Sequence, residues 1–205
     1  MVTAQTLVEK LIGRIGRPFR CRITGFPACG KTTLSKLISE QIKGIGHLES
    51  ESWMYSLEYR KQRDLSGSHP DGYEIEKAVK EIRAFLRGET IFMQYYSHQI
   101  GDRLHGSSIT PIEGSPMILD GTPFSLSEFD ALVPSCIFLR PASLEDWLQA
   151  SIRRDVETRY FSKAEATRHN MRKARDMEIV LTRSPNAHIV TCHIPEMLYD
   201  TDVYQ

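Results

Sequence analysis

One short segment constrains the fold more than any other part of the chain. Residues 25–32 read Gly-Phe-Pro-Ala-Cys-Gly-Lys-Thr, which satisfies the pattern G-x-x-x-x-G-K-[ST]. The segment follows residues 19–24, which alternate as a short strand does, and leads into residues 31–43, whose apolar side chains repeat at helical spacing. A glycine turn between a strand and a helix aims backbone N–H groups and the positive end of the helix dipole at one point. The segment is therefore predicted to bind phosphate.

Each residue type in this loop has a predicted role in holding a nucleoside triphosphate. Glycine lets the backbone approach the phosphates, Lys31 is expected to reach the β- and γ-phosphates, and the Thr32 hydroxyl is expected to ligate Mg²⁺. The chain has no N-K-x-D sequence, which disfavours a GTPase. The predicted nucleotide-binding residues are Gly25, Ala28, Cys29, Gly30, Lys31, Thr32 and Thr33.

Strand and helix patterns alternate along the rest of the chain. Apolar runs predict strands at 19–24, 45–50, 117–120, 136–140 and 187–192, and helical periodicity predicts helices at 3–15, 31–43, 73–87, 143–159 and 162–180. This order favours an α/β fold with three layers around a mostly parallel sheet. We expect one domain over 1–205, with an acceptor-binding insertion at about 53–115 and a helical lid at about 151–166. Residues 59–70 mix charges with glycine and proline and are predicted to form a loop.

Two acidic positions follow predicted strands. Asp120 ends the run Met-Ile-Leu-Asp and is a candidate second metal-site acid, with a simple turn aspartate as the alternative. Transfer of phosphate to a hydroxyl needs a carboxylate that orients the alcohol and accepts its proton. Glu51, just beyond the second strand, is the candidate for that base, and Glu49 is the competing one.

Arginines on the predicted lid supply charge for a transferring phosphate. Arg154 and Arg159 are the candidates, and Arg153 lies on the same segment. Closure of such a segment would exclude water and neutralise the γ-phosphate. The alternative is a solvated helix face on which neighbouring acids pair with these arginines.

The amino-acid composition argues against several other classes of protein. Lys and Arg number 26, as do Asp and Glu, so the net charge is zero and a global basic field for nucleic acid or membrane binding is not expected. The four cysteines are scattered without metal-ligand spacing, which indicates neither a zinc site nor a disulfide framework. No apolar run approaches the length of a bilayer span, so we expect a cytoplasmic protein. The sequence leaves open whether the protein is a homo-oligomer.

Taken in order, these segments resemble the uridine kinase-like family of P-loop kinases, which includes uridine/cytidine, pantothenate and phosphoribulose kinases. Residues 25–32 resemble its ATP loop, residues 51–53 its D-S-F element, and residues 68–74 the start of its H-P-D-x-F-D helix. Asp120-Gly121 takes the place of its E-G, and residues 154–159 resemble its lid segment R-D-x-x-x-R. The resemblance implies an ATP-dependent, Mg²⁺-requiring kinase in which Glu51 is the catalytic base.

Departures from the family pattern bear on the acceptor. Uridine kinases have P-x-Y-D-F where residues 93–97 read Met-Gln-Tyr-Tyr-Ser, so Tyr96 replaces an aspartate, and uridine specificity is not implied. We expect phosphate transfer to a hydroxyl of a small metabolite, such as a nucleoside, sugar or vitamin. A slow NTPase or a nucleotide-binding regulatory module is the alternative. Candidate acceptor-site residues are Tyr55, Tyr95, His98 and Arg103.

Overall fold

The protein folds into three layers, with helices on both faces of a central sheet. A computed structural model describes residues 1–159, 161–194 and 196–200, and the side chain of Arg159 lies outside that description. The strands are β1 (Arg20–Gly25), β2 (Gly46–Glu49), β3 (Ile91–Ser97), β4 (Asp102–Ile109), β5 (Met117–Asp120), β6 (Cys136–Pro141), β7 (His188–His193) and β8 (Leu198–Tyr199). The helices are α1 (Ala4–Ile15), α2 (Lys31–Gln41), α3 (Leu57–Gln62), α4 (Ile75–Leu86), α5 (Leu144–Arg159) and α6 (Lys163–Thr182).

The central sheet has six strands in the order β2-β5-β1-β6-β7-β8. The first five pair in parallel, and β8 is antiparallel to β7. In the parallel register Asp120 is opposite Ile23 of β1 and Glu49 of β2, so these strands end at one edge of the sheet. The predicted α/β fold with a mostly parallel sheet is confirmed.

Both faces of the sheet are buried, which explains the continuous apolar run at residues 117–119. Ile118 packs with α1 and α2 in one core, whereas Met117 and Leu119 pack with α4 in the other. Strands covered on both faces are apolar throughout rather than alternating. Among the described residues, no helix combines the length and the apolar character needed to cross a membrane.

Helix boundaries follow side-chain caps that the sequence shows in part. Thr3 caps α1 by accepting from the backbone N–H of Thr6, and Ser162 and Glu165 form the predicted capping box at the start of α6. The loop predicted for 59–70 is wrong over residues 59–62, which belong to α3. That helix has only six residues, too few for an apolar repeat to appear, and it begins where the Ser56 hydroxyl accepts from the Tyr59 N–H.

A two-stranded antiparallel hairpin, β3 with β4, stands apart from the main sheet and was not predicted. In β3, Ile91 and Met93 are buried while Phe92 and Tyr95 are exposed. The pairing register shifts between Gln94 and Tyr96, so the alternation does not persist along the strand. This irregularity hides the hairpin from periodicity analysis.

Candidate active site

A cleft of about 1240 Å³ opens at the carboxyl ends of β1, β2 and β5. Its walls are the loop after β1, the turn after β2, the β3–β4 hairpin, and parts of α5 and α6. A cleft for one small ligand typically has roughly 300–1,000 Å³. The volume is therefore sufficient for a nucleotide together with a second small molecule.

The loop at residues 25–32 needs glycine at positions 25 and 30, because the backbone lies close to a different neighbour at each position. At Gly25, with φ +116°, a Cβ would lie 2.2 Å from the carbonyl oxygen of Leu139. At Gly30, with φ +86°, a Cβ would lie 2.2 Å from the hydroxyl of Tyr199. The loop backbone is thus pressed against two neighbouring strands, and any side chain at these positions would displace it.

Long-range contacts hold the middle of this loop in place. The buried Trp147 indole N–H donates to the Pro27 carbonyl at 2.6 Å, although α5 is far from the loop in sequence. The Cys29 side chain is fully buried and does not line the cleft, and its hydrogen bond with Cys192 raises the pKa of the Cys29 thiol above its usual value. Of the predicted nucleotide-binding residues, Ala28, Gly30, Lys31, Thr32 and Thr33 line the cleft, whereas Gly25 and Cys29 do not.

Lys31 lies at the centre of the charged groups of the cleft. Its ammonium donates to two carbonyl oxygens at the start of its own loop, each at 3.1 Å. Burial lowers the pKa of Lys31, the negative charges of Asp120 and Glu51 oppose that effect, and Arg154 adds to it. These groups, which are far apart in sequence, are therefore within electrostatic range of one ammonium.

Asp120 and Thr32 form the candidate metal-binding pair. Asp120 is buried, and one of its carboxylate oxygens accepts from the Ser35 hydroxyl at 2.9 Å and lies 3.6 Å from Nε2 of His47. This contact raises the pKa of His47. A hydroxyl and a carboxylate are hard oxygen donors that fit Mg²⁺, which normally binds few protein ligands together with phosphate oxygens and water. Residues 1–159, 161–194 and 196–200 contain no cluster of three or more His, Cys, Asp or Glu side chains that could hold a metal ion by itself.

Glu51 and Glu49 both line the cleft but differ in environment. Glu51 lies in a 3₁₀ turn, Ser50–Trp53, where it is half-buried and accepts from the Ser50 hydroxyl at 3.4 Å. Burial raises the pKa of Glu51, and the charges of Asp120 and Glu49 raise it further. Glu49 ends β2 with its side chain exposed.

The turn that carries Glu51 is fixed by its neighbours. The Trp53 side chain is buried edge-on against Phe124 with ring centroids 5.9 Å apart, and its N–H donates to Glu81 at 2.5 Å. At Gly121 a Cβ would lie 1.9 Å from the Ser50 hydroxyl oxygen, so the turn packs directly on the chain after β5. These contacts fix the backbone of the turn from which the Glu51 side chain extends.

Buried polar contacts organise the predicted lid segment. Arg154 lines the cleft and donates through Nε and Nη2 to one oxygen of Asp155, at 3.1 and 2.9 Å. The other Asp155 oxygen accepts from Asn170 at 3.0 Å and from Lys173 at 3.4 Å. Arg153 is exposed and does not line the cleft, and the side chain of Arg159 lies outside the described part.

The four candidate acceptor-site residues separate into two pairs. Tyr95 and His98, on and beside the hairpin, line the cleft. Tyr55 does not line it and stacks on Tyr59 with centroids 4.2 Å apart. Arg103 does not line it either, because its guanidinium is engaged by the Glu74 carboxylate and the Ser52 carbonyl.

Several cleft residues escaped sequence reasoning. Thr122, Lys173 and Arg60 are buried and line the cleft, and Ser35 supports Asp120 from behind. Ser35 occurs one helical turn after Lys31, and this spacing could have predicted its position on the cleft side of α2, beside the candidate metal ligand Asp120. No local pattern distinguishes Arg60 or Lys173 from surface cations.

The sheet order, the phosphate-type loop and the cleft at the strand ends define the fold of the P-loop kinases, and comparisons with solved structures agree. A protein from Silicibacter sp. TM1040, provisionally named a fructose transport system kinase, has a TM-score of 0.72 at 15% identity, over 93% of this chain and 99% of its own. The D-glycerate 3-kinase of Cryptococcus neoformans has a TM-score of 0.68 at 7% identity, covering 97% of both chains. At these identities the likeness establishes the fold.

A comparison of sequences finds similarity to a uridine kinase. The chain is 26% identical to the uridine kinase of Ligilactobacillus salivarius over 117 residues, which are 53% of this chain and 53% of that protein. The match therefore spans about half the length of this curated relative. No family model matches the chain. The resemblance to uridine kinase-like P-loop kinases inferred from the motifs is confirmed.

Proposed function

We propose that the protein is an ATP-dependent, Mg²⁺-requiring kinase that transfers the γ-phosphoryl group to a hydroxyl of a small metabolite. The observation that carries this proposal is the half-buried carboxylate of Glu51 in the same cleft as Lys31 and Asp120. In such a kinase the loop and the metal site hold the nucleotide, and a second carboxylate in the cleft orients the acceptor hydroxyl and accepts its proton. The kinase names of the similar proteins support the same reading.

In this proposal each charged group acts on one part of the transfer. The acceptor oxygen bonds to the γ-phosphorus, the bond from that phosphorus to the β-phosphate oxygen breaks, and ADP leaves with the bonding electrons. Glu51 accepts the proton of the acceptor hydroxyl. Lys31 holds the terminal phosphates, and Arg154 neutralises charge on the transferring group.

Thr32 and Asp120 would hold Mg²⁺ with the nucleotide, Asp120 through metal-bound water. Mg²⁺ supplies neutralisation of phosphate charge when it is bound. Ser35 keeps the Asp120 carboxylate oriented through its hydrogen bond. We further propose that residues 151–166 act as a lid and that residues 53–115 form the acceptor side, in line with the cleft walls that these ranges provide.

The test is Glu51→Gln, with Glu49→Gln as its matched control two residues earlier. The amide keeps the shape of Glu51 but removes its basicity, so ATP affinity should hold while transfer falls by about 10²–10⁴-fold. Glu49→Gln should be mild because that side chain is exposed. ADP formation is measured with and without a pool of metabolites, and nucleotide binding is measured separately.

Three results would contradict parts of the proposal. If only Glu49→Gln abolishes transfer, Glu49 is the base. If no metabolite raises ADP formation above the rate measured without an added acceptor, the protein is a hydrolase or a binding module. Because burial raises the pKa of Glu51, the acid limb of the rate profile should lie above the ordinary value of 4.5; a profile flat down to that pH is inconsistent with Glu51 as the base.

A further inference from the structure

Two arginine side chains are buried in the part of the chain that the structure describes, and they differ in their partners. Arg22 is fully buried and donates to Asp130 at 2.6 Å, and its guanidinium also donates to three backbone carbonyl oxygens. Arg60 is 5% exposed and forms no ion pair with any described residue. A buried cation is normally compensated by a carboxylate or another anion. Arg60 therefore requires a different explanation from Arg22.

The contacts of Arg60 leave one edge of its guanidinium without a protein acceptor. Its Nε donates to the Tyr55 carbonyl at 3.1 Å and its Nη2 to the Tyr96 hydroxyl at 2.6 Å. A guanidinium has five N–H donors, so three remain after these two bonds. Arg60 lines the cleft, where the remaining donors can meet a ligand.

The surrounding chain keeps space for this side chain. A Cβ at Gly72 would lie 3.2 Å from Cδ of Arg60, and a Cβ at Gly67 would lie 3.4 Å from Nη1. The Tyr73 hydroxyl closes this part of the cleft by donating to the Gly67 carbonyl at 2.6 Å. Arg60 is thus held at a fixed place instead of extending into solvent.

Nearby carboxylates are occupied by other groups. Glu74 pairs with Arg103 and lies 3.7 Å from the Lys77 ammonium. Asp176 accepts from the Ser66 N–H at 3.1 Å and pairs with Arg175. Among the residues that the structure describes, no carboxylate therefore pairs with Arg60.

Arg60 and the candidate base Glu51 both line the cleft. Burial raises the pKa of Tyr73, the negative charge of Glu51 adds to this effect, and the positive charge of Arg60 opposes it. Tyr73 therefore lies within electrostatic range of both. A small acceptor that presents its hydroxyl to Glu51 can place another group near Arg60.

We propose that the acceptor carries an anionic group, a carboxylate or a phosphate, which binds the open edge of the Arg60 guanidinium. This inference rests on the proposed kinase function and narrows its acceptor to hydroxy acids and sugar phosphates. A planar guanidinium matches both kinds of oxyanion through paired hydrogen bonds. A neutral nucleoside or sugar would leave the buried charge with its tyrosine contacts alone and without an anionic partner.

The first arm of the test compares charged acceptors with neutral counterparts on the wild-type protein. D-Glycerate is paired with glycerol, and ribose 5-phosphate with ribose, and uridine is added as a nucleoside. ADP formation with Mg²⁺ and ATP is measured for each, and calorimetry in the presence of ADP measures acceptor binding. The glycerate and ribose 5-phosphate arms separate a carboxylate from a phosphate as the recognised group.

The second arm uses Arg60→Gln and Arg60→Lys, with Arg63→Gln as a matched control. Arg63 follows α3, and its exposed side chain lies over the Tyr59 ring without lining the cleft. Arg60→Gln should raise KM for the anionic acceptor by about 10- to 100-fold, with kcat and the KM for ATP changed less. Arg60→Lys keeps the positive charge, so it should raise this KM by less than Arg60→Gln does. Arg63→Gln should have the same KM as the wild type.

The outcomes separate this inference from the proposed function. The inference is supported if the wild type turns over an anionic acceptor but not its neutral counterpart, and if Arg60→Gln loses that turnover. Turnover of uridine, ribose or glycerol at least as fast as of the anions overturns it and leaves the kinase standing. If no compound raises ADP formation but an anion binds to wild type and fails to bind to Arg60→Gln, the site is supported and the kinase function fails. If no anion binds, the inference is wrong; the wild-type arm gives this answer even where a variant does not fold.

Discussion

Asp155 offers the most direct test of how the proposed lid segment is held. Its side chain is fully buried between α5 and α6 and joins Arg154, Lys173 and Asn170. Asp155→Asn keeps the volume but removes the charge and places an NH₂ group where the carboxylate accepted from cations. The ammonium of Lys173, which is 4% exposed, then loses its ion pair with the Asp155 carboxylate.

The size of the effect follows from the burial of this network. Breaking a buried ion pair by removing one charge costs about 3–5 kcal/mol. For a domain of this length each kcal/mol shifts Tm by roughly 2–4 °C, so Asp155→Asn should lower Tm by roughly 6–20 °C. The loss is a large share of a typical unfolding free energy of about 5–15 kcal/mol.

The assay is thermal unfolding followed by circular dichroism, with Asp146→Asn as the matched control. Asp146 is an exposed residue in the first turn of the same helix, where the identical substitution should change stability by no more than about 0.5 kcal/mol. Adding Lys173→Met to Asp155→Asn should recover part of the lost stability, because it removes the buried cation. Equal melting temperatures for Asp155→Asn and Asp146→Asn would refute the network as the anchor of α5 on α6.

Three further substitutions test the loop and the candidate metal site, and a fourth, Gly13→Ala, is a control for Gly25→Ala. Lys31→Ala should lower turnover by about 10²–10³-fold with no loss of thermal stability, since burial of its ammonium is unfavourable; unchanged turnover would exclude the loop as the ATP site. Asp120→Asn should raise the Mg²⁺ concentration needed for half-maximal activity, and an unchanged Mg²⁺ titration would make Asp120 a turn residue only. Gly25→Ala should lower Tm sharply because its Cβ would meet the Leu139 backbone, whereas Gly13→Ala, with no neighbour within 4 Å, should stabilise α1 by up to about 1 kcal/mol.

The sequence predicted the parts of the fold that depend on local pattern. The strand–loop–helix unit around residues 25–32 and the buried strand ending at Asp120 are both signalled by residues adjacent in the chain. Parallel pairing then brings Glu49 and Asp120 to one sheet edge, so the convergence of acids at that edge follows from the fold class. The β3–β4 hairpin was missed because its register shift interrupts the alternation that marks a strand.

The two buried arginines show why sequence patterns did not predict the residues of the proposed acceptor site. Arg22 lies on the polar side of an alternating strand and Arg60 in a short polar helix, so sequence context marks neither arginine for burial. What makes Arg60 distinctive is its contacts with Tyr55 and Tyr96 and the absence of an ion pair with any residue the structure describes. The loop, by contrast, carries its phosphate chemistry in consecutive residues. The phosphate-binding pattern is therefore predictable from local motifs, whereas the proposed acceptor site depends on which distant segments fold over one side chain.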